Sequence, residues 1–362
     1  MKEIVARIHK AFLHAFKDNM NLGMGIQSMY DEGAIALVLE HSAENVITPT
    51  EASAQLRLLD YKTPDGDTVF YHLSRQKRES IQRCFGGIIA DTISKAKRQR
   101  LLNIPLDYAI DFNDIPWYGE RKRFTIVDRH RNGTRHFIRF ANGSVVHAGR
   151  RFIVASIPVT PKMKKWEIVE ALITRARELG IRIRHVFLDR GFYAVHVLKV
   201  LDDNGLKYVI PAPENKGIRK RMKALLRKNK RITIYTSWSW RDNTCVTTNL
   251  FLFWNRGRRT WRPFVTNTEI NETNRVSLGE RYRARWSIET SFRVKNGFRI
   301  RSRSGVHAVR ITLYLTGIAL YNMWILLNIW EAQRFGEEPE KPKISVARFL
   351  FYIEILLHSG SF

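Results

Sequence analysis

Apolar residues return every three to four positions through the first hundred residues, the spacing of amphipathic helices. In KEIVARIHKAFLHAFKD, Ile4, Val5, Ile8, Phe12 and Phe16 line one side. Charges interrupt this run too often for the apolar core of a signal peptide. Gly23, Gly25, Gly33 and Thr48-Pro49 punctuate the clusters that follow. Between Ser74 and Arg100, Ile81, Phe85, Ile88 and Ile89 form a stripe beneath a dense cover of Lys and Arg. We read residues 1–103 as a helical region whose basic outer face suits duplex phosphates. The plain alternative is a solvated helix face without a ligand, and no helix-turn-helix is assigned.

The period changes at Leu106. LDYAIDF, RHFIRFA and RRFIVASIPV read as strands, with turn signals at Asn132-Gly133 and Asn142-Gly143. MKKWEIVEALITRARELG returns to helical spacing through Trp166, Ile168, Val169, Leu172, Ile173 and Leu179. RIRHVFLD is then a strand, GFYAVHVLKVLDDNG a helix with an Asn-Gly stop, and KYVIPAP a closing strand. Three strands, helix, strand, helix, strand predicts an α/β fold over 104–213, a mixed sheet flanked by helices.

Residues 214–268 interrupt that order. Asn215 to Arg231 carries nine Lys and Arg and no acid, and RITIYTSWSW, CVTTNLFLFW and WRPFVTN read as strands. We expect a small β insertion, basic and aromatic, with most of Trp238, Trp240, Trp254 and Trp261 forming its own core. The core resumes over 269–330, with the helical RYRARWSIETSFRVK and an apolar run from Ile311 to Trp330. That run is long enough to cross a bilayer. Because it contains Asn322 and Asn328 and follows a strongly basic segment, we read it as a helix buried in a large domain and expect no membrane partner. A charged loop and a last helix make a C-terminal tail over 331–362.

Charge narrows the function. Lys and Arg number 61 against 34 Asp and Glu, a formal excess of +27. Such an imbalance favours a polyanionic partner through counterion release, nucleic acid first and an anionic membrane second. An apolar fraction of 44% excludes a disordered basic tail. The two cysteines, Cys84 and Cys245, are far apart and outside any CxxC or Cys/His cluster. They predict neither a disulfide framework nor a zinc site, and we expect both to be core thiols.

The candidate chemistry lies in three carboxylates. Asp111 ends LDYAID before a polar stretch, and Asp189 ends FLD before Arg190-Gly191. Within Arg281 to Lys295, Tyr282, Arg285 and Glu289 fall near one line of a helix. Each has a structural explanation: Asp111 capping a turn, Asp189 capping a helix, Glu289 in a helical ion pair. Delivered together by two strands and a helix in so cationic a chain, they are what a two-metal phosphoryl-transfer site requires. Asp107, Asp114 and Asp128 are rivals for the first position.

The LDRGFY strand end and the Tyr282-x2-Arg285-x3-Glu289 spacing resemble bacterial and archaeal insertion-sequence transposases of the DDE type, closest to the insertion-sequence-four family. The resemblance covers residues of about 106 to 325. It implies a ribonuclease-H-like catalytic core with a β insertion before the catalytic Glu. It implies that Asp111, Asp189 and Glu289 are catalytic and hold two Mg²⁺ ions, with Mn²⁺ as a substitute. The reaction implied is cut-and-paste transposition of double-stranded DNA. Water cuts one strand at each terminal inverted repeat, the freed 3′-OH attacks target DNA, and the second strand leaves through a hairpin. Tyr282, Arg285 and a lysine would hold a flipped nucleotide's backbone, and an insertion Trp would stack on its base. Arg190 and Arg293 are further candidate DNA contacts. The family's lysine position falls on Asn296 here, with Lys295 one residue early and about 120° from the Glu289 face of a continuing helix. A homodimer in a prokaryotic cytoplasm is the expected working form.

Two other functions fit the same residues: a transposase-derived protein that binds ends without cutting, and a structure-selective nuclease such as a junction resolvase. The large basic insertion favours transposition over a compact nuclease.

Overall fold

Local signals fix the starts of the N-terminal helices. The computed structural model describes residues 2–358 apart from 26, 148, 284, 338, 340 and 341. After α1 (Lys2–Asn19), the helix α2 (Glu32–Glu44) starts where Asp31 accepts a bond from the Ala34 amide. In α3 (Pro49–Leu58), Thr48 and Glu51 cap each other's backbone with Pro49 at the first position. Asp65 caps α4 (Gly66–Ser74), and α5 (Arg78–Arg98) follows. Val5, Ile8, Phe12 and Phe16 are buried as their spacing predicts, while the side chain of Ile4 lies outside the described residues. Phe16 meets Phe85 of α5 edge-on, ring centroids 6.1 Å apart.

The sheet opens with β1 (Leu106–Trp117), β2 (Ile126–Arg131), β3 (Thr134–Val145) and β4 (Ile153–Val159). It continues through α6 (Lys165–Glu178), β5 (Ile183–Leu188), α7 (Val195–Asp203) and β6 (Tyr208–Pro211). β1 pairs antiparallel with β3 and parallel with β5, which pairs parallel with β6. β4 and β2 share the outer edge of β3. This is the expected mixed sheet, with three differences in detail. β2 escaped sequence reading because its exposed side chains give no apolar alternation. β1 does not stop near Asp111 but runs on to Trp117, so Asp111 lies in mid-strand rather than before a turn.

The third difference concerns the two Asn-Gly pairs. Asn132 and Gly133 make a hairpin turn, with φ of 52° and 75°. Asn142 and Gly143 instead lie inside β3, opposite Asp111 and Ile110. A Cβ on Gly143 would stand 1.7 Å from the Tyr108 hydroxyl oxygen, which needs that space to donate to Leu172 O at 3.1 Å. Close approach, not a turn, explains this glycine.

The 214–268 segment contributes α8 (Lys216–Arg227), β7 (Ile232–Ser239), β8 (Thr244–Asn255) and β9 (Thr260–Thr266). Its strands extend the main sheet, since β9 pairs with β6 and the order runs β2-β3-β1-β5-β6-β9-β8-β7. The expected tryptophan core is not found. Trp238, Trp240 and Trp254 are exposed, Trp240 by 87%; Trp238 and Trp240 form a tilted pair, and Trp254 meets Trp261 edge-on. With the strands joined to a larger sheet, Leu250, Phe251, Leu252 and Val265 supply the buried positions instead. Cys84 is buried, but Cys245 lies on an outward position of β8, contrary to expectation.

The chain then forms α9 (Glu272–Arg283), α10 (Trp286–Lys295), α11 (His307–Arg334) and α12 (Val346–His358). α11 is the core helix expected from its sequence: its most apolar window is wholly buried within the protein. The Asn322 side chain accepts from Ile153 N at 2.9 Å and donates to Ile153 O at 2.8 Å, pairing backbone groups of β4 in the manner of a missing strand. Asn328 accepts from Ile344 N at 2.7 Å. Within the tail, 338, 340–341 and 359–362 lie outside the described residues.

Candidate active site

Parallel pairing of β1 with β5 sets two carboxylates side by side. Ile110 is in register with Leu188, so Asp111 and Asp189 are the next residues on neighbouring strands. Asp189 ends β5 and accepts from Gly191 N at 3.2 Å, capping a single 3₁₀ turn over Arg190–Phe192 rather than α7 itself. The third carboxylate comes from α10. Sequence spacing predicts one helix through Tyr282, Arg285 and Glu289, whereas the structure breaks it between α9 and α10. At the joint the bonds tighten to the i→i−3 pattern, Arg285 N to Tyr282 O at 2.9 Å and Ile288 N to Arg285 O at 2.8 Å.

Arg285 stands at the centre. Its guanidinium donates to Asp111 Oδ2 at 2.6 Å and to Glu289 Oε1 at 3.0 Å, and lies 4.0 Å from Asp189 Oδ1. The structure therefore brings together the three predicted carboxylates around one buried cation. Burial drives the Asp111 carboxyl up to about 6; Arg285 opposes this, while the negative Asp189 and Glu289 add to it. The guanidinium is itself held more firmly protonated than usual by Tyr282 and these carboxylates, against the opposing effect of burial.

The rival aspartates are each occupied. Asp107 is bonded by Arg184 at 2.7 and 3.0 Å and by Arg281 at 2.7 Å, with His185 beside it. Asp114 is clamped by Arg139 at 2.7 and 2.8 Å and paired with Arg131, and Asp128 pairs with Arg139. These are structural ion pairs that hold strands together.

The remaining candidates separate. Tyr282 is buried, edge-on to Phe264 and Phe187, and donates to Leu188 O at 3.1 Å, so it braces the end of β5. Arg190 is exposed on the turn after Asp189, and Arg293 is exposed one helical turn beyond Glu289. Lys295 does not join the carboxylates. It is buried, 3.5 Å from Asn113 Oδ1 and 4.1 Å above the Tyr314 ring. Sequence reading missed Arg256, Arg262 and Arg283, which with Arg190, Phe253 and Phe264 line a cleft of about 530 Å³ opening onto Asp189 and Arg285. The sequence signal for Arg256 and Arg262 was only the basic character of the insertion, and Arg283 lies in the Arg281–Lys295 segment two residues before Arg285.

Among the described residues no group of three or more His, Cys, Asp or Glu is arranged to hold a metal ion. The donor chemistry nevertheless fits a divalent ion. Three hard-oxygen side chains already share a single cation, and their mutual repulsion is relieved by positive charge. Withdrawal of Arg285 from Asp111 is the change that would free those oxygens.

Residues 105–323 match the family model described as transposase DDE domain. No curated protein matches the chain. Among solved structures, the chain is similar to one described as the cryo-EM structure of piggyBac transposase synaptic complex with hairpin DNA. The TM-score is 0.55 at 13% identity, covering 99% of this chain and 78% of that one. The likeness is one of fold, and with the strand order it makes the core a ribonuclease-H-like mixed sheet flanked by helices.

Proposed function

The chain belongs to the transposase DDE domain family, and from that membership we propose that it is a metal-dependent, cut-and-paste DNA transposase. The observation that carries the reading is the convergence on Arg285 of Asp111 from the middle of β1, Asp189 from the end of the adjacent parallel β5, and Glu289 from α10. The three carboxylates would hold two divalent ions, Mg²⁺ with Mn²⁺ as substitute, which when bound supply an activated oxygen nucleophile and neutralise charge on the leaving oxygen.

The chain's own residues do the rest. Arg285 gathers the three carboxylates, and once released from Asp111 its guanidinium would be free to pair with a strand phosphate. Tyr282 fixes the end of β5, and with it Asp189, through Leu188. Arg190, Arg256, Arg262 and Arg283 give the neighbouring cleft the charge to hold a DNA backbone, and Phe253 and Phe264 give it an apolar wall. We assign to this site cleavage at terminal inverted repeats, joining of the 3′-OH to target DNA, and release of the second strand through a hairpin. Two ends must be held at once, which supports a homodimer, and the resemblance to insertion-sequence transposases is the ground for placing it in a prokaryotic cytoplasm.

The test is cleavage of a labelled element end in Mg²⁺ by the wild type and by Glu289→Gln, with binding of the same DNA followed in parallel. The wild type is expected to nick and to join 3′ ends, and Glu289→Gln to bind without cutting. Equal cutting by both proteins would remove Glu289 from the site. Binding without cutting by the wild type would leave only a DNA-holding role.

A further inference from the structure

Arg281 precedes Arg285 by one helical turn and makes a parallel contact further down the same strands. In the register of β1 with β5, Asp107 lies beside His185 and Ala109 beside Phe187. Residues two apart on a strand share a face, so these two rows continue the row of Asp111 and Asp189. The α9 segment and its joint with α10 meet all three rows. Arg281 Nη2 donates to Asp107 Oδ1 at 2.7 Å and stands 2.9 Å from His185 Nδ1. Tyr282 meets the Phe187 ring edge-on, centroids 5.9 Å apart. Arg285 donates to Asp111 Oδ2 at 2.6 Å. The aspartates are about 13 Å apart along the strand and the arginines about 6 Å apart along a helix, so the two guanidinium groups splay to reach both. Attachment at two such points resists sliding and tilting of the helix.

The two ion pairs differ in how readily they come apart. Asp107 is buried, and Arg184 of β5 bonds it at 2.7 and 3.0 Å. Burial alone would raise its carboxyl; His185, Arg184 and Arg281 outweigh that and hold it well below the ordinary carboxylate range. Burial instead pushes Asp111 up to about 6, and Asp111 shares Arg285 with Glu289 and Asp189. Both Asp107 oxygens are already bonded to guanidinium groups. Positive charge arriving at Asp111 therefore competes for Arg285 and gives the Asp107 pair no cause to open.

We propose that Asp107 and Arg281 are positioning residues for the transposase reaction: their ion pair keeps α9 seated on β1 and β5 while Arg285 releases Asp111, so that Glu289 on α10 stays opposite Asp111 and Asp189. The inference rests on the transposase reading above. It deepens that reading by giving the carboxylate site a support that lies outside the Tyr282-x2-Arg285-x3-Glu289 spacing and that itself touches neither metal nor DNA.

The experiment compares Arg281→Gln, Asp107→Asn and Arg184→Gln with the wild type. Mn²⁺ affinity is measured by electron paramagnetic resonance on protein bound to a cut element end whose 3′-hydroxyl is replaced by hydrogen, so that no reaction follows. Cutting of an intact end at saturating Mn²⁺, DNA binding without metal and urea unfolding are followed beside it. Arg184→Gln removes a partner of Asp107 that belongs to β5 and leaves α9 held, so it controls for lost stability. Arg281→Gln and Asp107→Asn are each expected to weaken Mn²⁺ binding about tenfold and to slow cutting about tenfold, with DNA affinity unchanged. The double variant is expected to lose no more than either alone, and Arg281→Lys to recover most of the Mn²⁺ affinity. Arg184→Gln is expected to bind Mn²⁺ and to cut as the wild type does, whatever it loses in urea. Arg281 is partly exposed, so Arg281→Gln keeps the test decisive if Asp107→Asn does not fold.

Arg281→Gln and Arg184→Gln behaving alike, with Mn²⁺ affinity kept in both or lost in both, would overturn the positioning role and leave the transposase reading intact. A wild type that neither binds Mn²⁺ on the end nor cuts would overturn the functional reading itself, and this inference with it.

Discussion

Replacing Lys295 with Met should make the protein more stable at neutral pH. The ammonium is buried above the Tyr314 ring, and burial followed by Arg299 lowers its pKa from 10.5 to about 7. At about 1.36 kcal/mol per unit, the full shift corresponds to about 5 kcal/mol, of which about 4 kcal/mol applies at pH 7, where the folded amine is half protonated. These are upper figures, because relaxation and water entry soften buried charges. With the folded pKa depressed, the unfolded chain binds the extra proton. Stability from this group is therefore full above 10.5 and is lost as pH falls through 7. Between pH 7 and pH 8.5 it should add roughly 1–2 kcal/mol to the wild type and nothing to Lys295→Met. Urea unfolding of both proteins at the two pH values isolates the contribution, since all other titrating groups are shared. Equal pH slopes, with Lys295→Met the less stable protein at pH 7, would refute the reasoning and show the amine to be solvated or paired.

Three further substitutions probe the frame around the site. Burial raises the Glu44 carboxyl from 4.5 to about 7, beside His41 and Glu40, so its contribution is present below 4.5 and lost as pH rises through 7. Glu44→Gln should gain on the order of 2–3 kcal/mol at pH 8 and almost nothing at pH 4.5, and a gain independent of pH in thermal melts would count against it. Asn322→Ala strips two bonds from buried Ile153 backbone groups and should cost about 3 kcal/mol. A loss below about 1 kcal/mol in urea would mean that water replaces the amide. Gly143→Ala forces a Cβ onto the Tyr108 hydroxyl and should cost about 1–3 kcal/mol. Unchanged stability would show that β3 can shift without disturbing the strand that carries Asp111.

Periodicity made the sheet and its helices readable because buried faces impose regular spacing: the α6 apolar set and the β5 run appear in the structure as the sequence predicts. The same reasoning located Asp189, since a strand that ends in a charged residue followed by Arg-Gly marks an edge of the core. It misjudged features decided by distant partners. Asn142-Gly143 reads as a turn in isolation, yet it is held in β3 by Tyr108 and by Tyr314, whose hydroxyl meets Asn142. The Trp238 and Trp240 pair reads as core until the insertion strands join a larger sheet and leave them outside. Arg285 looked like a neighbour of Glu289 on a helix. Its place among three carboxylates depends on the break after α9 and on strands about a hundred residues and more upstream, which local spacing does not encode.

The central claim, that Asp111, Asp189 and Glu289 form one divalent-metal site, is tested most directly by changing the metal preference of a ligand. Asp189 is half-exposed, so Asp189→Cys can place a thiolate near where the carboxylate stood without filling buried space. Mg²⁺ accepts sulfur poorly, whereas Mn²⁺ accepts it more readily. The account predicts that Asp189→Cys fails to cut an element end in Mg²⁺ and recovers cutting in Mn²⁺, while the wild type cuts in both. Undiminished cutting by Asp189→Cys in Mg²⁺ would contradict it.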